Sequence, residues 1–370
     1  MKSKVKFIHI WMCVCCILLV GVLAGCGKTT GQSQEESVQS REEASDQGGN
    51  AASDTERESA AAQSQVQDTE EPVTLRIGAL KGPTTMGLLF MMEAQKDGSN
   101  RNDYEFQMAT GADELLPLMV SGKLDIALVP ANVAAVLYQK TEGNVAVIDI
   151  NTLGVLYMVS NDPNVTGIQD LKGKTVYLTG KGTTPDYVLQ YLLKGAGYAQ
   201  GDVTLEYKSE ATEVAAILAQ TEGALGFLPQ PFVTAAGIQN DKLRIVFSAN
   251  DAWLEQQGEK ASGLVTGVTV VRKDILADHP GAVKTFLEEH AVSAKAINDD
   301  PETGAKYCVE AGIVAKEPIA QKAIPKCNIT CVTGTEMKEA LSAYLQILFD
   351  YDPKTVGGQL PAEDFYYLAD

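Results

Sequence analysis

Leu75-Arg-Ile-Gly-Ala-Leu-Lys-Gly-Pro-Thr-Thr-Met-Gly-Leu-Leu-Phe-Met-Met92 reads as a short apolar strand, a break at Lys81-Gly82-Pro83, and an apolar segment, Met86–Met92, with the pattern of a buried helix. Thr84 and Thr85 are residue types that cap helix N-termini, and Gly-Pro before them lets the backbone approach another molecule closely. A strand that ends in a glycine loop and a helix start is one way of holding a small polar ligand. The pattern recurs. Val176-Tyr-Leu-Thr-Gly-Lys-Gly-Thr-Thr-Pro-Asp-Tyr-Val-Leu-Gln-Tyr-Leu-Leu193 again runs from a strand into Lys181-Gly182 and a threonine pair. Pro185 falls where first helical positions favour it, and Val188, Leu189, Leu192 and Leu193 mark one helical face. The Lys-Gly pairs at 81 and 181 stand one hundred positions apart.

Working outward, each copy continues in the same order. Strands near Tyr104–Met108 and Leu124–Val129 flank a helix at Ala112–Val120, and Pro130-Ala131-Asn132 leads into a helix over Val133–Gln139. In the second copy, strands at Asp202–Lys208 and Ala224–Leu228 flank a helix at Glu213–Gln220, and Pro229-Gln230-Pro231-Phe232 takes the place of Pro130-Ala131-Asn132. A βαβαβ unit repeated at a fixed offset predicts two similar α/β lobes with mostly parallel sheets. Beyond strands at Leu243–Phe247 and Leu264–Val271 the chain turns helical, with a stripe of Leu341, Tyr344, Leu345 and Leu348. These C-terminal helices are expected to pack on lobe one. Lobe one then comprises residues 73–154 and 250–370, lobe two residues 155–249, and the crossings near Leu153–Asn161 and Phe247–Ala252 form a hinge.

Residues 1–26 read as a secretory signal: three early lysines, an apolar run from Phe7 to Val22, and Leu23-Ala24-Gly25-Cys26, which resembles the bacterial lipobox. That resemblance implies lipidation of Cys26 and membrane attachment through acyl chains. Residues 27–72, rich in Gln, Ser, Glu and Ala, have no apolar periodicity and are expected to form a disordered acidic tether reaching about 40 Å. The net charge of −18 argues against nucleic acid as a partner. Of the three cysteines in the expected folded region, Lys326–Val332 reads as a strand that keeps Cys327 and Cys331 too far apart to bridge. Cys308 then pairs with one of them, or all three are free thiols.

His279 and His290 are the histidines beyond the signal and are expected to be solvated. The chain has no HExxH, CxxC, G-x-S-x-G or Walker motif, so neither a metal site, a cofactor nor an enzymatic role is expected. Asp113, Glu114 and Glu213 fit exposed helix starts. A cleft remains: ligands of parallel α/β lobes bind outside the carboxyl ends of strands, and four such ends carry matched loops. The expected ligand-binding residues are Gly82, Thr84, Thr85 and Asn132 from lobe one, and Gly182, Thr183, Thr184, Gln230 and Phe232 from lobe two, with Tyr187 as a second aromatic. Asp186, in the first turn of the second-lobe helix, argues against a fully anionic ligand contacting both lobes.

The lipobox, the doubled lobe and Gly82-Pro-Thr-Thr-Met-Gly87 together resemble a type II periplasmic-binding-protein lipoprotein. Within that fold the chain resembles the solute-binding subunits of the nitrate/sulfonate/taurine and thiamine-precursor (pyrimidine synthase-like) branch of ABC importers. The resemblance implies a monomer that captures a small polar or heteroaromatic solute by hinge closure and delivers it to an ABC permease and its ATPase. The cysteine-rich metal motif of the eukaryotic pyrimidine synthase is missing. Two alternatives on this fold are an enzyme similar to chorismate dehydratase, for which a lipobox is out of place, and a lipoprotein presenting ligand to a sensor.

Overall fold

The computed structural model describes residues 73–258 and 263–368. The expected signal with Cys26 and the tether 27–72 lie outside the described residues. The first half runs β1 (Thr74–Leu80), α1 (Pro83–Met86), α2 (Leu89–Asp97), β2 (Asp103–Ala109), α3 (Ala112–Val120), β3 (Ile126–Pro130), α4 (Ala131–Lys140) and β4 (Val145–Leu153). There follow β5 (Leu156–Ser160), β6 (Thr175–Leu178), α5 (Thr184–Gly195), β7 (Thr204–Tyr207), α6 (Ala211–Gln220), β8 (Leu225–Pro229), α7 (Phe232–Gln239), β9 (Arg244–Ser248) and α8 (Ala249–Gln257). The chain ends with β10 (Val265–Arg272), α9 (Lys273–Asp278), α10 (Pro280–Asp299), α11 (Pro301–Glu310), α12 (Glu317–Ala323), β11 (Ile329–Val332) and α13 (Gly334–Tyr351).

The strands form two sheets, ordered β11-β4-β10-β3-β1-β2 and β7-β6-β8-β5-β9. From β2 the first reads 2-1-3-10-4, and from β7 the second reads 7-6-8-5-9, so the sequence repeat is a repeat of topology. Both sheets are mixed, a correction to the mostly parallel expectation. In each, the strand entered from the other lobe runs antiparallel to both neighbours, β10 between β3 and β4 and β5 between β8 and β9, and the edge strand β11 is antiparallel to β4. The first residues of β5 and β10 sit beside carboxyl ends, Leu156 opposite Pro229 and Val265 opposite Leu153. A chain arriving from the cleft side has to run away from it.

The first crossing is the short step from Leu153 to Leu156. The second falls later than Phe247–Ala252, because α8 still packs on α5, β5 and β9 of lobe two. The crossings lie side by side: Asn250 accepts the Leu264 N–H at 3.0 Å, and a Cβ on Gly154 would stand 2.7 Å from that of Asn250.

Lobe one is buried on both sheet faces, so neighbouring residues of one strand serve different cores. Ile126, Leu128, Ala146 and Ile148 face α2 and α10, where Phe286 and Leu287 meet them. Ala127, Val129, Val145 and Val147 face the other way, toward Leu341, Leu345 and Leu348 of α13. The C-terminal helices thus cover lobe one through stripes at helical spacing.

Three local expectations are corrected. The segment Met86–Met92 is two helices separated at Gly87-Leu88, and a Cβ on Gly87 would press on His290 Nε2 and Ile329 at 3.2 Å. His290 is fully buried rather than solvated, on the inward stripe of α10. Strand β11 begins only at Ile329: Cys327 closes a 3-10 turn and Asn328 takes a positive φ of 46°. Cys308, Cys327 and Cys331 are all free thiols.

Candidate functional site

The carboxyl ends of both sheets face one cavity of about 630 Å³. Its first wall is built by the Lys-Gly turns. Gly82 has φ 152° and Gly182 φ 75°, conformations that side chains with a Cβ rarely take, which is why glycine recurs at the matched positions. The cap of α1 is Gly82 itself, and the threonines work differently from N-caps. Thr84 and Thr85 are inside the helix and donate their hydroxyls back to the Leu80 carbonyl at 2.9 and 2.5 Å. Thr183 caps α5 by position while its hydroxyl donates to the Gly180 carbonyl at 2.6 Å.

Of the expected site residues, Gly82, Thr84, Gly182, Thr183, Thr184 and Phe232 line the cavity. Thr85, Asn132 and Gln230 do not; all three are buried and already engaged. Asn132 donates to the carbonyls of Thr355 at 3.1 Å and Gly182 at 3.3 Å, and accepts the Thr184 hydroxyl at 3.2 Å. It clasps lobe two to lobe one instead of facing a ligand. Gln230 accepts both the N–H and the hydroxyl of Thr234 in the first turn of α7. Phe232 lies across the lobe boundary, 3.9 Å from the place a Cβ on Gly82 would take. Tyr187 is half-buried and outside the lining.

Asp186 is turned inward. Its carboxylate accepts the Gly182 N–H at 2.7 Å, the Tyr207 hydroxyl at 2.7 Å and the Gln190 amide at 2.5 Å. Burial first, and this carboxylate second, push the Tyr207 phenol well above its ordinary value. Lys181 lies over the Tyr207 ring at 5.3 Å.

The lining includes groups the sequence reading passed over. Thr110–Asp113 at the start of α3 and Ser209–Thr212 at the start of α6 complete a set of four helix starts, two per lobe. They follow β2 and β7, so the rule that pointed to the other strand ends applied to them as well. Thr152 and Thr266 come from β4 and β10, and the buried Thr266 hydroxyl has no partner among the described residues. Lys81, Lys140 and Lys181 also line the cavity, and none is in an ion pair among the described residues. The carboxylates on the wall are Asp113 and Glu210. Lobe one therefore contributes two lysines against one carboxylate. Lobe two contributes one lysine against Glu210, with Asp186 behind it. The field favours an anionic group on the lobe-one side.

Glu114 organises the α3 corner. It accepts the Thr110 hydroxyl at 2.7 Å and the N–H groups of Thr110 and Gly111 at 2.9 and 3.0 Å. The Thr110 hydroxyl first, then those N–H groups, hold its carboxyl below the usual range. A depressed folded-state value means the support is present above the ordinary carboxylate range and is lost as pH falls through the lowered value. Glu114→Gln is therefore expected to lower stability at neutral pH and flatten the acid limb, with parent and variant converging at low pH. Carbon-detected NMR titration of Glu114 tests this, and a midpoint at or above the ordinary glutamate value contradicts it.

A family profile described as ABC transporter, phosphonate, periplasmic substrate-binding protein matches residues 99–294, more than half of the chain. No curated protein matches the chain by sequence. Among solved structures, an ABC transporter from Parabacteroides distasonis is 23% identical with a TM-score of 0.67, covering 80% of this chain and 99% of that one. The alkanesulfonate-binding protein SsuA from Xanthomonas axonopodis pv. citri, bound to MOPS, is 16% identical with a TM-score of 0.64, covering 81% and 100%. The periplasmic aliphatic sulphonate binding protein SsuA from Escherichia coli is 15% identical with a TM-score of 0.62, covering 81% and 97%. These likenesses establish the two-lobed fold.

Proposed function

Since the chain belongs to the ABC-transporter phosphonate periplasmic substrate-binding family, we propose that it captures a small solute with an oxyanion head group, of the phosphonate or sulfonate kind, in the interlobe cavity. Four helix starts around one cavity with three unpaired lysines carry this reading. The head group is held at the lobe-one side by Lys81, Lys140 and the backbone at Gly82–Thr84 and Ala112–Asp113, while the uncharged part reaches Phe232 and the α5 start. Thr183 and Thr184 contribute hydroxyl lone pairs, their hydroxyl protons being donated to Gly180 and Asn132, while the Gly182 and Thr183 N–H groups are held by Asp186 and the Gly180 carbonyl. Thr85, Asn132 and Gln230 support the site from behind. The lining carries no histidine or cysteine, and we read the protein as a carrier without catalysis.

Binding that bridges two lobes favours their approach, since the solute gains contacts in the closed state that the open state does not offer. The crossing at 153–156 and the place beside it where Asn250 accepts the Leu264 N–H are the proposed hinge. Cys26 is the proposed lipid attachment point and 27–72 the tether, which holds a monomer near its permease and ATPase. No helix among the described residues is long and apolar enough to cross a membrane. Cys26→Ala is expected to release the protein from membranes or leave its signal uncleaved, as fractionation and intact-mass measurement will show. Normal processing with full membrane retention refutes the anchor.

The cavity assignment is tested by native mass spectrometry of the full chain for co-purified solute, followed by calorimetric titration with alkyl phosphonates and alkyl sulfonates. Lys81→Ala is expected to weaken binding more than Lys181→Ala. Equal losses, or no binding of either class, overturn the head-group placement. Thr184→Val removes the hydroxyl that Asn132 accepts across the lobes, and is expected to weaken binding by about 1–2 kcal/mol. Affinity equal to the parent's in this variant contradicts the clasp.

A further inference from the structure

We propose that Asp149, His290 and Cys331 form a second site, outside the solute cavity, that binds one zinc-like divalent metal ion. The residues come from β4, α10 and β11, which are distant in sequence, so no motif spacing announces them. Pairing of β11 with β4 and the inward stripe of α10 bring them together. One ligand atom from each lies within 4.8 Å of the others, and His290 Nδ1 stands 3.2 Å from Asp149 Oδ2. Bonds of about 2.0 Å to a tetrahedral zinc require an edge close to that length.

Charge carries the argument further. Asp149 and His290 have no solvent exposure, and His290 is the ion-pair partner of Asp149 among the described residues, with no lysine or arginine beside it. The other Asp149 oxygen accepts the Thr269 hydroxyl at 2.8 Å, and Asn151 donates to that hydroxyl at 3.1 Å. This network orients the carboxylate toward the imidazole without neutralising it. A buried carboxylate lacking a full positive partner is costly. A divalent ion supplies the missing positive charge: one carboxylate and one thiolate balance it, and the imidazole ligates through Nδ1 as a neutral ring whose Nε2–H has no acceptor among the described residues. A mixed N, O and S donor set suits zinc.

Cys331 gives the site both its control and its route of entry. It is partly exposed on the edge strand β11, and its Sγ lies 3.9 Å from the Leu287 carbonyl. Cysteine binds a metal as the thiolate, so binding forms the metal–sulfur bond and releases the thiol proton to solvent, one per ion. Nε2 of His290 faces Gly87, between α1 and α2, so the ion would anchor α10 beneath the helices that follow the Gly82 turn.

The test uses the full chain, stripped with a chelator and titrated with Co²⁺ and then Zn²⁺. One equivalent of Co²⁺ is expected to produce a near-ultraviolet thiolate-to-cobalt band and release one proton, and Zn²⁺ is expected to abolish the band and raise the unfolding temperature. Cys331→Ser should lose the band and bind Zn²⁺ at least a hundredfold more weakly, while Cys308→Ser keeps both. His290→Gln is a second probe, but it alters a fully buried residue, so the partly exposed Cys331 gives the deciding variant. Absence of a thiolate band, its persistence in Cys331→Ser, or equal Zn²⁺ stabilisation of parent and Cys331→Ser overturns the site.

Discussion

Asp186→Ala is expected to lower the unfolding free energy by about 3 kcal/mol and to weaken solute binding at the same time. The carboxylate satisfies three donors from three places: the Gly182 N–H in the cavity turn, the Tyr207 hydroxyl on β7 and the Gln190 amide one helical turn on. Truncation strands all three. Water reaches the exposed Gly182 and relieves part of that penalty, which keeps the expected loss near the cost of one or two unsatisfied buried groups. The α5 N-terminus also loses a favourable charge, worth a further few tenths to 1 kcal/mol. The turn matters most for function. Gly182 holds φ 75° beside Asn132 and the cavity, and without Asp186 its N–H no longer has a fixed direction. Asp186→Asn retains an acceptor and should fall between parent and alanine variant. In it the Tyr207 phenol is expected to titrate at lower pH, because the Asp186 carboxylate, the largest cause of its upward shift after burial, is removed. Urea unfolding, calorimetry and ultraviolet titration of tyrosine measure the three effects. A loss below about 1 kcal/mol with unchanged affinity means the turn is held by other groups.

Trp253→Ala carries the largest expected loss of stability, about 3–5 kcal/mol. Trp253 is fully buried on α8 of lobe two. Its ring lies 4.7 Å from that of Tyr191 on α5 and 5.4 Å from that of Tyr344 on α13, which covers lobe one. Tyr191 in turn meets Tyr351 edge-on at 5.9 Å, with Lys194 over that ring at 4.8 Å. The cluster spans the two lobes beside the Asn132 clasp. Removing its centre forfeits the transfer energy of an indole and leaves a void that aromatic neighbours fill poorly. The urea midpoint should fall with little change in slope, and small-angle scattering without solute should shift toward a more open form. A variant as stable as the parent shows that the helices repack around the void, and unchanged scattering separates the cluster from lobe closure.

The sequence alone determined the doubled architecture, because its signals are local. Gly82 and Gly182 recur where the backbone needs positive φ, and the strand and helix periods follow each in the same order. Chain order likewise placed the C-terminal stripe of Leu341, Tyr344, Leu345 and Leu348 on a helix with one apolar face. Six of the nine expected cavity residues line the cavity, since strand ends and helix starts are legible from pattern. Direction and partnership were decided by tertiary structure. The antiparallel course of β5 and β10 depends on where the chain crosses between lobes, which periodicity does not encode. Asn132 and Gln230 stood at the right strand ends, yet their amides were taken by Thr184, Thr355 and Thr234. His290 read as a polar residue in a helical tail, and only the packing of α10 on β4 and β11 turned it inward beside Asp149 and Cys331. Thr184 and Thr355, partners of Asn132, lie 52 and 223 positions away in the chain, and those contacts exist only once the chain has folded.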